Sequence, residues 1–172
     1  IFGSFILLFV IVFIDVFKRI LIPDPTFWEA LKIVPIILLA NLCLGIYHNL
    51  SVWYKVTDRT SYGAYISVFG AFITLVLNIV LIPTISYMGS AIATLAAYGS
   101  MMLLSYYFGQ KKYAVPYDVK RIGAYLLISL IFSAISFYIF DGSLTIGAPL
   151  LLVFLLLIIF SEKNELKRIV KR

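Results

Sequence analysis

Polar side chains that could do chemistry concentrate in one stretch of this chain, residues 41–62, which begins apolar and ends in a charged turn. The stretch contains the only His and the only Cys of the sequence. On a helix, residues at steps of three and four share one face. That face carries a row that we call the polar stripe: Asn41, Gly45, His48, Val52 and Lys55. At ~1.5 Å rise per residue, His48 lies about 10 Å from Lys55 along the axis and Asn41 about 10 Å deeper.

A second row of polar or small residues follows on the next predicted helix. Its members again recur at three- and four-residue steps: Gly63, Ser67, Gly70, Thr74 and Asn78. Two successive helices therefore each present polar groups on one face, as a hydrogen-bonding route for a polar substrate would require. The candidate pathway residues are Asn41, His48, Asn49, Lys55, Ser67, Thr74 and Asn78.

Each of these residues also has a purely structural interpretation. Asn41 and Asn78 either line a pathway or hydrogen-bond across a helix pair, and both possibilities stay open. A neutral packing residue is favoured for His48 over a ligand or a proton relay, because its own helix offers no second His and no acidic partner. The predicted anchors at a membrane–water interface are Trp53, Tyr54 and Arg59.

Catalytic constellations do not appear in the sequence. It has no metal-spaced cluster of His, Cys and Glu, no G-x-S-x-G motif and no Gly-rich phosphate loop with a Lys. Asp15 is the carboxylate nearest to the interior of an apolar segment, and it lies close to the segment's end. The sequence therefore predicts neither an enzyme nor a site for a cofactor or a metal ion.

Composition points to a membrane protein. Of the 172 residues, 63% are hydrophobic and 13% are charged, whereas soluble domains have roughly a quarter charged residues. The mean hydropathy is +1.06. The net charge of +6 lies in connecting segments and in the tail, which favours membrane topology over nucleic-acid binding.

Six apolar segments are each close to the ~20 residues that a spanning helix needs, and they predict an all-α integral membrane fold with about six transmembrane helices. The predicted spans are Phe2–Ile20, Ile33–Trp53, Tyr62–Ile82, Met88–Phe108, Gly123–Phe140 and Leu144–Phe160. They form a membrane region over residues 1–160, and a basic tail follows over residues 161–172. Since the chain opens on Ile1 inside an apolar run, we expect it to be part of a longer protein without a signal peptide.

Small and hydroxylated residues on two spans predict close helix packing. The fourth span has a small face at Gly89, Ala93 and Ala97, which allows another helix to approach closely. The fifth span has three serines on one side, at Ser129, Ser133 and Ser136, which we interpret as packing residues.

Orientation follows from the positions of Lys and Arg. With six spans, all of the 14 basic residues except Lys18, Arg19 and Lys32 fall on the side that holds both chain ends. The positive-inside rule predicts that this side, and hence the tail, is cytoplasmic. The three exceptions share one loop with Asp15, Asp24 and Glu29, and that loop is the one part of the predicted topology that departs from the rule.

Several runs of sequence resemble the C-terminal region of bacterial polysaccharide biosynthesis proteins. The resemblance covers residues 30–125 best. It rests on LGIYHNLSVWYK at 44–55, TDRT at 57–60, YGAY at 62–65, LNIVLIP at 77–83, YMGSA at 87–91, YYFGQK at 106–111 and PYD at 116–118. These proteins are lipid-linked oligosaccharide flippases of the multidrug/oligosaccharidyl-lipid/polysaccharide exporter superfamily.

The resemblance implies a fold of two helical bundles facing each other across a central cavity. This chain would contribute most of the second bundle and a terminal pair of helices, and the N-terminal bundle of the same protein would be its partner. The family moves an undecaprenyl-diphosphate-linked glycan across the bacterial inner membrane by alternating access. The cavity Arg or Lys residues that often hold the diphosphate have no buried counterpart among the predicted spans.

Three other functions compete with a glycan flippase. A cation-coupled drug exporter of the same fold would need a buried Asp or Glu, which the predicted spans lack. A membrane enzyme of glycan assembly would need acid–base groups in a large outward loop, but the predicted outward loops at 83–87 and 141–143 are very short. A structural or scaffold membrane protein has no feature in its favour.

Overall fold

A computed structural model of the chain describes residues 2–22, 24–113, 117–139 and 144–161, without the side chains of residues 25–27, 138–139 and 144–146. These residues are 92% helical and include no strand, which confirms the all-α class. The α-helices are α1 (Phe2–Val12), α2 (Ile14–Leu21), α3 (Val34–Leu50), α4 (Val52–Val56), α5 (Ser61–Lys112), α6 (Val119–Ala134) and α7 (Leu144–Ser161). A 3₁₀ helix at Pro25–Ile33 precedes α3, and a π-helical turn at Ile135–Ile139 extends α6.

Helix length and apolarity support three membrane spans among the described residues. The helical stretches long and apolar enough to cross a bilayer are Trp28–Val56, Ser61–Lys112 and Val119–Phe137. Phe2–Val12 and Gly147–Ser161 are apolar but shorter. The structure thus agrees with a helical membrane protein, while the predicted number of about six spans is not confirmed.

The 52-residue helix α5 folds back on itself. Ile85 and Ser86 have non-helical backbone angles, and Ser86 has a φ of +48°. A straight helix would hold Gly70 and Met101 roughly 46 Å apart, yet a Cβ atom on Gly70 would touch the Met101 side chain. Residues 61–84 and 87–112 are therefore two antiparallel arms, which we call the first and second arm. They correspond to the third and fourth predicted spans.

The chain divides into two compact units, which we treat separately. The central unit is Glu29–Tyr117, and the terminal unit combines Ile1–Trp28 with Asp118–Arg172. In the central unit, α3 and α4 pack against the two arms of α5 around the buried side chains of Tyr47, Ile66 and Met101. The small face of the second arm is buried here, at Gly89, Ala93 and Ala97, which confirms that it packs against other helices.

In the terminal unit, α1 packs against α6 and α7. Its apolar core consists of Leu8, Val12, Leu151 and Phe154. All three predicted packing serines of α6 and its extension are buried: Ser129, Ser133 and Ser136. A Cβ atom on Gly147 would lie 2.8 Å from Val12 and 3.2 Å from the Ser136 hydroxyl, so the chain approaches closely at this glycine.

Two of the three basic residues that weaken the predicted topology have acidic partners. Lys18 forms an ion pair with Asp15, and Lys32 pairs with Glu29 at 3.3 Å. Each partner lies three residues earlier, one helical turn away. Pairing offsets these two charges locally, whereas the positive-inside rule counts basic residues and not net charge.

Some predictions fall on residues outside the described set. They concern the turn 141–143 and the tail, of which only Ser161 is described. The predicted second span, Ile33–Trp53, is longer in the structure and runs from Trp28 to Val56, because the 3₁₀ helix leads directly into α3.

Candidate functional site

The polar stripe of α3 and α4 faces away from the rest of the central unit. All five of its members are exposed: Asn41, Gly45, His48, Val52 and Lys55. The opposite side of the same helices is buried, at Ala40, Tyr47, Leu50, Ser51, Trp53 and Tyr54. Because the five residues share one face of the helices, that whole face is exposed while the opposite face is buried.

Few intramolecular contacts engage the stripe. Among the described residues, the Asn41 and His48 side chains make no hydrogen bond, and Lys55 makes no ion pair. The Asn49 amide beside the stripe donates to the backbone carbonyl of Gly45 at 3.1 Å. The amide of Asn41 and the imidazole of His48 are consequently available to groups outside the described structure.

Gly45 forms an open notch in the stripe. A Cβ atom at Gly45 would meet nothing within 4 Å. By contrast, Gly63, Gly70, Gly89 and Gly109 each lie within 3 Å of a neighbouring side chain or backbone when a Cβ is added. Packing inside the central unit therefore explains those four glycines, but not Gly45 or Gly99, where a Cβ atom would also meet nothing within 4 Å.

The second row lies at the border between the buried and exposed sides of the first arm. Ser67 is exposed, while Thr74 and Asn78 are half-buried. Thr74 donates its hydroxyl to the Gly70 carbonyl at 3.0 Å, within its own helix. The side-chain carbonyl oxygen of Asn78 is buried and has no hydrogen-bond partner among the described residues.

The structure does not bring the two rows together. The Tyr47 hydroxyl lies 3.4 Å from the Ser67 hydroxyl and 3.1 Å from the Tyr54 hydroxyl. Tyr47 is on the buried side of α3, whereas His48 is on the exposed side. A tyrosine outside the predicted set thus connects α3 to the second row, and the polar stripe contributes nothing to that contact.

Two of the predicted interface anchors lie inside the central unit. The rings of Trp53 and Tyr54 are only 3% and 6% exposed. The Trp53 indole packs against Gly109 and lies 5.4 Å from the ring of Tyr62, while Tyr54 covers Gly63. Arg59 is exposed, as an anchor at an interface would be. The two rings therefore hold helices together, and their depth in a bilayer stays a prediction.

Sequence reasoning missed the cluster that these rings form with Tyr47 and Ser51. Ser51 is 1% exposed and donates its hydroxyl to the His48 carbonyl at 2.6 Å, which marks the break between α3 and α4. The available signal was the seven-residue spacing of Tyr47 and Tyr54, which puts both hydroxyls on one helix face. That spacing is equally typical of aromatic residues that face lipid.

The exposed stripe offers hydrogen-bonding groups, namely the amide of Asn41 and the imidazole of His48. Groups of three or more His, Cys, Asp or Glu that could hold a metal ion do not occur in the described parts of the chain. The described carboxylates are exposed or half-exposed, at Asp15, Asp24, Glu29, Asp58 and Asp118. Comparison with protein-family models, curated proteins and solved structures finds no match to this chain.

Proposed function

We propose that the chain is the C-terminal part of a transporter that flips lipid-linked oligosaccharide across the bacterial inner membrane, with the polar stripe lining the route. The observation that carries this proposal is the outward face of α3 and α4. Asn41 and His48 are exposed there on a helix otherwise apolar enough to span a bilayer. Exposed polar groups at hydrocarbon depth are costly unless they face water or another protein surface.

The chemistry of the stripe fits a glycan. Sugar hydroxyls are both donors and acceptors, and the amide of Asn41 and the imidazole of His48 offer both functions. Gly45 leaves room between them, because a side chain there would find open space. Neutral hydrogen-bonding groups hold a polar solute weakly enough for it to move on, whereas a buried carboxylate would bind cations.

The sequence resemblance supplies the rest of the proposal. It supports about six spans, with the two arms of α5 as separate spans, and a second helical bundle from the same protein, while the distribution of Lys and Arg supports a cytoplasmic C-terminus. That bundle would cover the cavity side of the polar stripe. The transported molecule would be an undecaprenyl-diphosphate-linked glycan, moved by alternating access without a cofactor.

Paired measurements of export and stability of the Asn41→Leu variant test this function. Because Asn41 is exposed and has no hydrogen-bond partner among the described residues, we expect the free energy of unfolding to change by less than about 0.5 kcal/mol. Glycan export in cells should fall strongly, and Asn41→Gln should retain part of it by keeping the amide.

Asn78→Leu makes the same replacement at a half-buried residue of the second row and tests whether that row also belongs to the route. Its unpartnered carbonyl oxygen predicts no loss of stability on replacement. If Asn41→Leu unfolds the protein and export only follows the folded fraction, Asn41 is a packing residue and the proposed route is wrong.

A further inference from the structure

Four exposed basic side chains gather at one end of the central unit. We call this group the basic end: Lys55, Arg59, Lys111 and Lys112. Trp53 packs against Gly109, and Tyr62 lies 5.4 Å from Trp53 and 5.6 Å from Phe108. These contacts bring the end of α4, the start of the first arm and the end of the second arm to one level. The four cations follow within about two turns of that level.

The charges of the basic end are not balanced within the described structure. The ion pairs that the described residues form involve Lys18, Lys32 and Arg121, and none of the four cations. Asp58 is the acid of this end, since Glu29 lies at the opposite end of the helix and pairs with Lys32. Four cations against one carboxylate leave a local charge of about +3.

Exposed aromatic and aliphatic side chains surround the basic end. Tyr107 and Tyr113 are about half exposed, on either side of the two lysines that end the second arm. Further along the arms, Tyr65, Val68 and Leu103 are each more than 60% exposed. Cations flanked by exposed tyrosines, next to an apolar surface, match the headgroup region and the adjoining hydrocarbon of an anionic phospholipid leaflet.

Helix dipoles offer a simpler explanation for part of this arrangement. Lys55, Lys111 and Lys112 lie in the last turns of α4 and α5, where cations stabilise the helix ends. That effect needs no ligand. It does not require Arg59, which lies beyond the helix ends, or the exposed tyrosines.

We propose that the basic end binds anionic phospholipid headgroups of the leaflet in which it lies. The phosphates would contact the lysine and arginine side chains, and the acyl chains would cover the exposed apolar surface of the arms. Lys55 also belongs to the polar stripe, but Arg59, Lys111 and Lys112 lie outside it, so the proposed binding does not depend on what the protein transports. It would hold the ends of α4 and of the second arm at the membrane surface.

Fluorescence of Trp53 tests the proposal directly. The chain has two tryptophans, so the Trp28→Phe variant leaves only Trp53, buried under the basic end. The full chain is placed in two kinds of vesicle, both made of phosphatidylcholine and phosphatidylglycerol. In the first kind only the phosphatidylglycerol is brominated, and in the second kind only the phosphatidylcholine is brominated. Quenching of Trp53 by each lipid gives their relative affinity near this site. We expect the anionic lipid to be preferred, and the preference to fall with added salt.

Charge variants test whether the preference for anionic lipid arises at the basic end. Lys111→Gln with Lys112→Gln should weaken the relative affinity about fivefold for each cation removed. Lys111→Arg with Lys112→Arg keeps the charges and should keep the preference. Lys32→Gln removes a cation from the other end of the same unit and should change nothing. Equal quenching by both lipids, or an unchanged preference in the double Gln variant, would overturn the proposal.

Inorganic diphosphate at constant ionic strength separates the two sources of phosphate. Continued preference for the anionic lipid in its presence supports headgroup binding. Loss of the preference at low diphosphate concentration would show that the basic end binds a soluble or substrate-borne anion instead, and would overturn the lipid assignment.

Discussion

Gly89 approaches the backbone of Leu81 so closely that a Cβ atom on Gly89 would lie 2.7 Å from the carbonyl carbon and oxygen of Leu81. This contact spans the reversal at Ile85–Ser86, where the two arms of α5 meet. Only a residue without a Cβ fits there, because the opposing atoms belong to the backbone and cannot rotate away. The hairpin therefore depends on a glycine that the small-residue face already singles out.

Replacing Gly89 tests this dependence. Gly89→Ala should lower the free energy of unfolding by about 1–3 kcal/mol, because the arms must separate to accommodate the methyl group. Gly99→Ala is the control on the same arm, since a Cβ at Gly99 meets nothing within 4 Å. That variant should be neutral or more stable by about 0.5–1 kcal/mol, because alanine favours helices over glycine. Thermal unfolding in detergent compares the two, and equal effects would contradict the close approach.

A second pair of variants tests whether the small face is closely packed at Ala93. Ala93 is fully buried in the central unit, whereas Ala71 on the first arm is exposed. Ala93→Leu should cost a few kcal/mol by overpacking, while Ala71→Leu adds the same volume where space is open. Normal stability of Ala93→Leu would mean that the face is not closely packed in the folded protein.

Backbone strain at the reversal makes a third prediction. Ser86 has φ +48° and ψ −131°, a conformation that glycine adopts far more readily than serine. Ser86→Gly should therefore raise the free energy of unfolding by about 1 kcal/mol. Ser90→Gly, in regular helix four residues later, should lower it by about 0.5–1 kcal/mol. A continuous helix through Ser86 would instead make both variants destabilising.

Hydropathy and the position of Pro83 predicted two spans joined by a short loop, but they ended the first span too early, at Ile82. Pro83 removes one amide from the helical hydrogen-bond ladder, yet the helix continues around it to residue 84. The reversal occurs at Ile85 and Ser86, where the backbone angles are non-helical and Ser86 has a positive φ. Nothing in the residue type of a serine predicts that conformation.

The outward direction of the polar stripe could not be read from the sequence either. Periodicity groups Asn41, His48 and Lys55 correctly because it depends only on helix geometry. In a bilayer, however, apolar side chains are equally suited to lipid and to a helix interface. The same ambiguity hid Tyr47, since a tyrosine between helices and a tyrosine facing lipid have the same sequence pattern.

A double-mutant cycle tests the buried tyrosine pair that this ambiguity concealed. The Tyr47 and Tyr54 hydroxyls are 3.1 Å apart in a buried environment. Tyr47→Phe and Tyr54→Phe should each cost about 1 kcal/mol, and the double variant should cost less than their sum by roughly 0.5–1.5 kcal/mol. Tyr65→Phe, at a hydroxyl on a 75% exposed residue, is the control and should be neutral. Strict additivity of the two single variants would rule out the hydrogen bond.

Water access decides whether the polar stripe faces an aqueous route or lipid. In a Cys43→Ala background, which removes the one native cysteine, we expect Asn41→Cys and His48→Cys to react with a charged thiol reagent. The reagent needs water to approach and to ionise the thiol, so positions in lipid stay unreactive. Phe72→Cys is the matched control, because Phe72 is 63% exposed on an arm whose surface is apolar.

His48→Cys should react at least as fast as Asn41→Cys, since it lies closer to Lys55 and the predicted membrane surface. Addition of a lipid-linked glycan should slow both reactions by occupying the route. Equal rates at positions 41 and 72 would show that the stripe meets the same surroundings as the apolar arm, and the proposed route would then have to lie elsewhere in the protein.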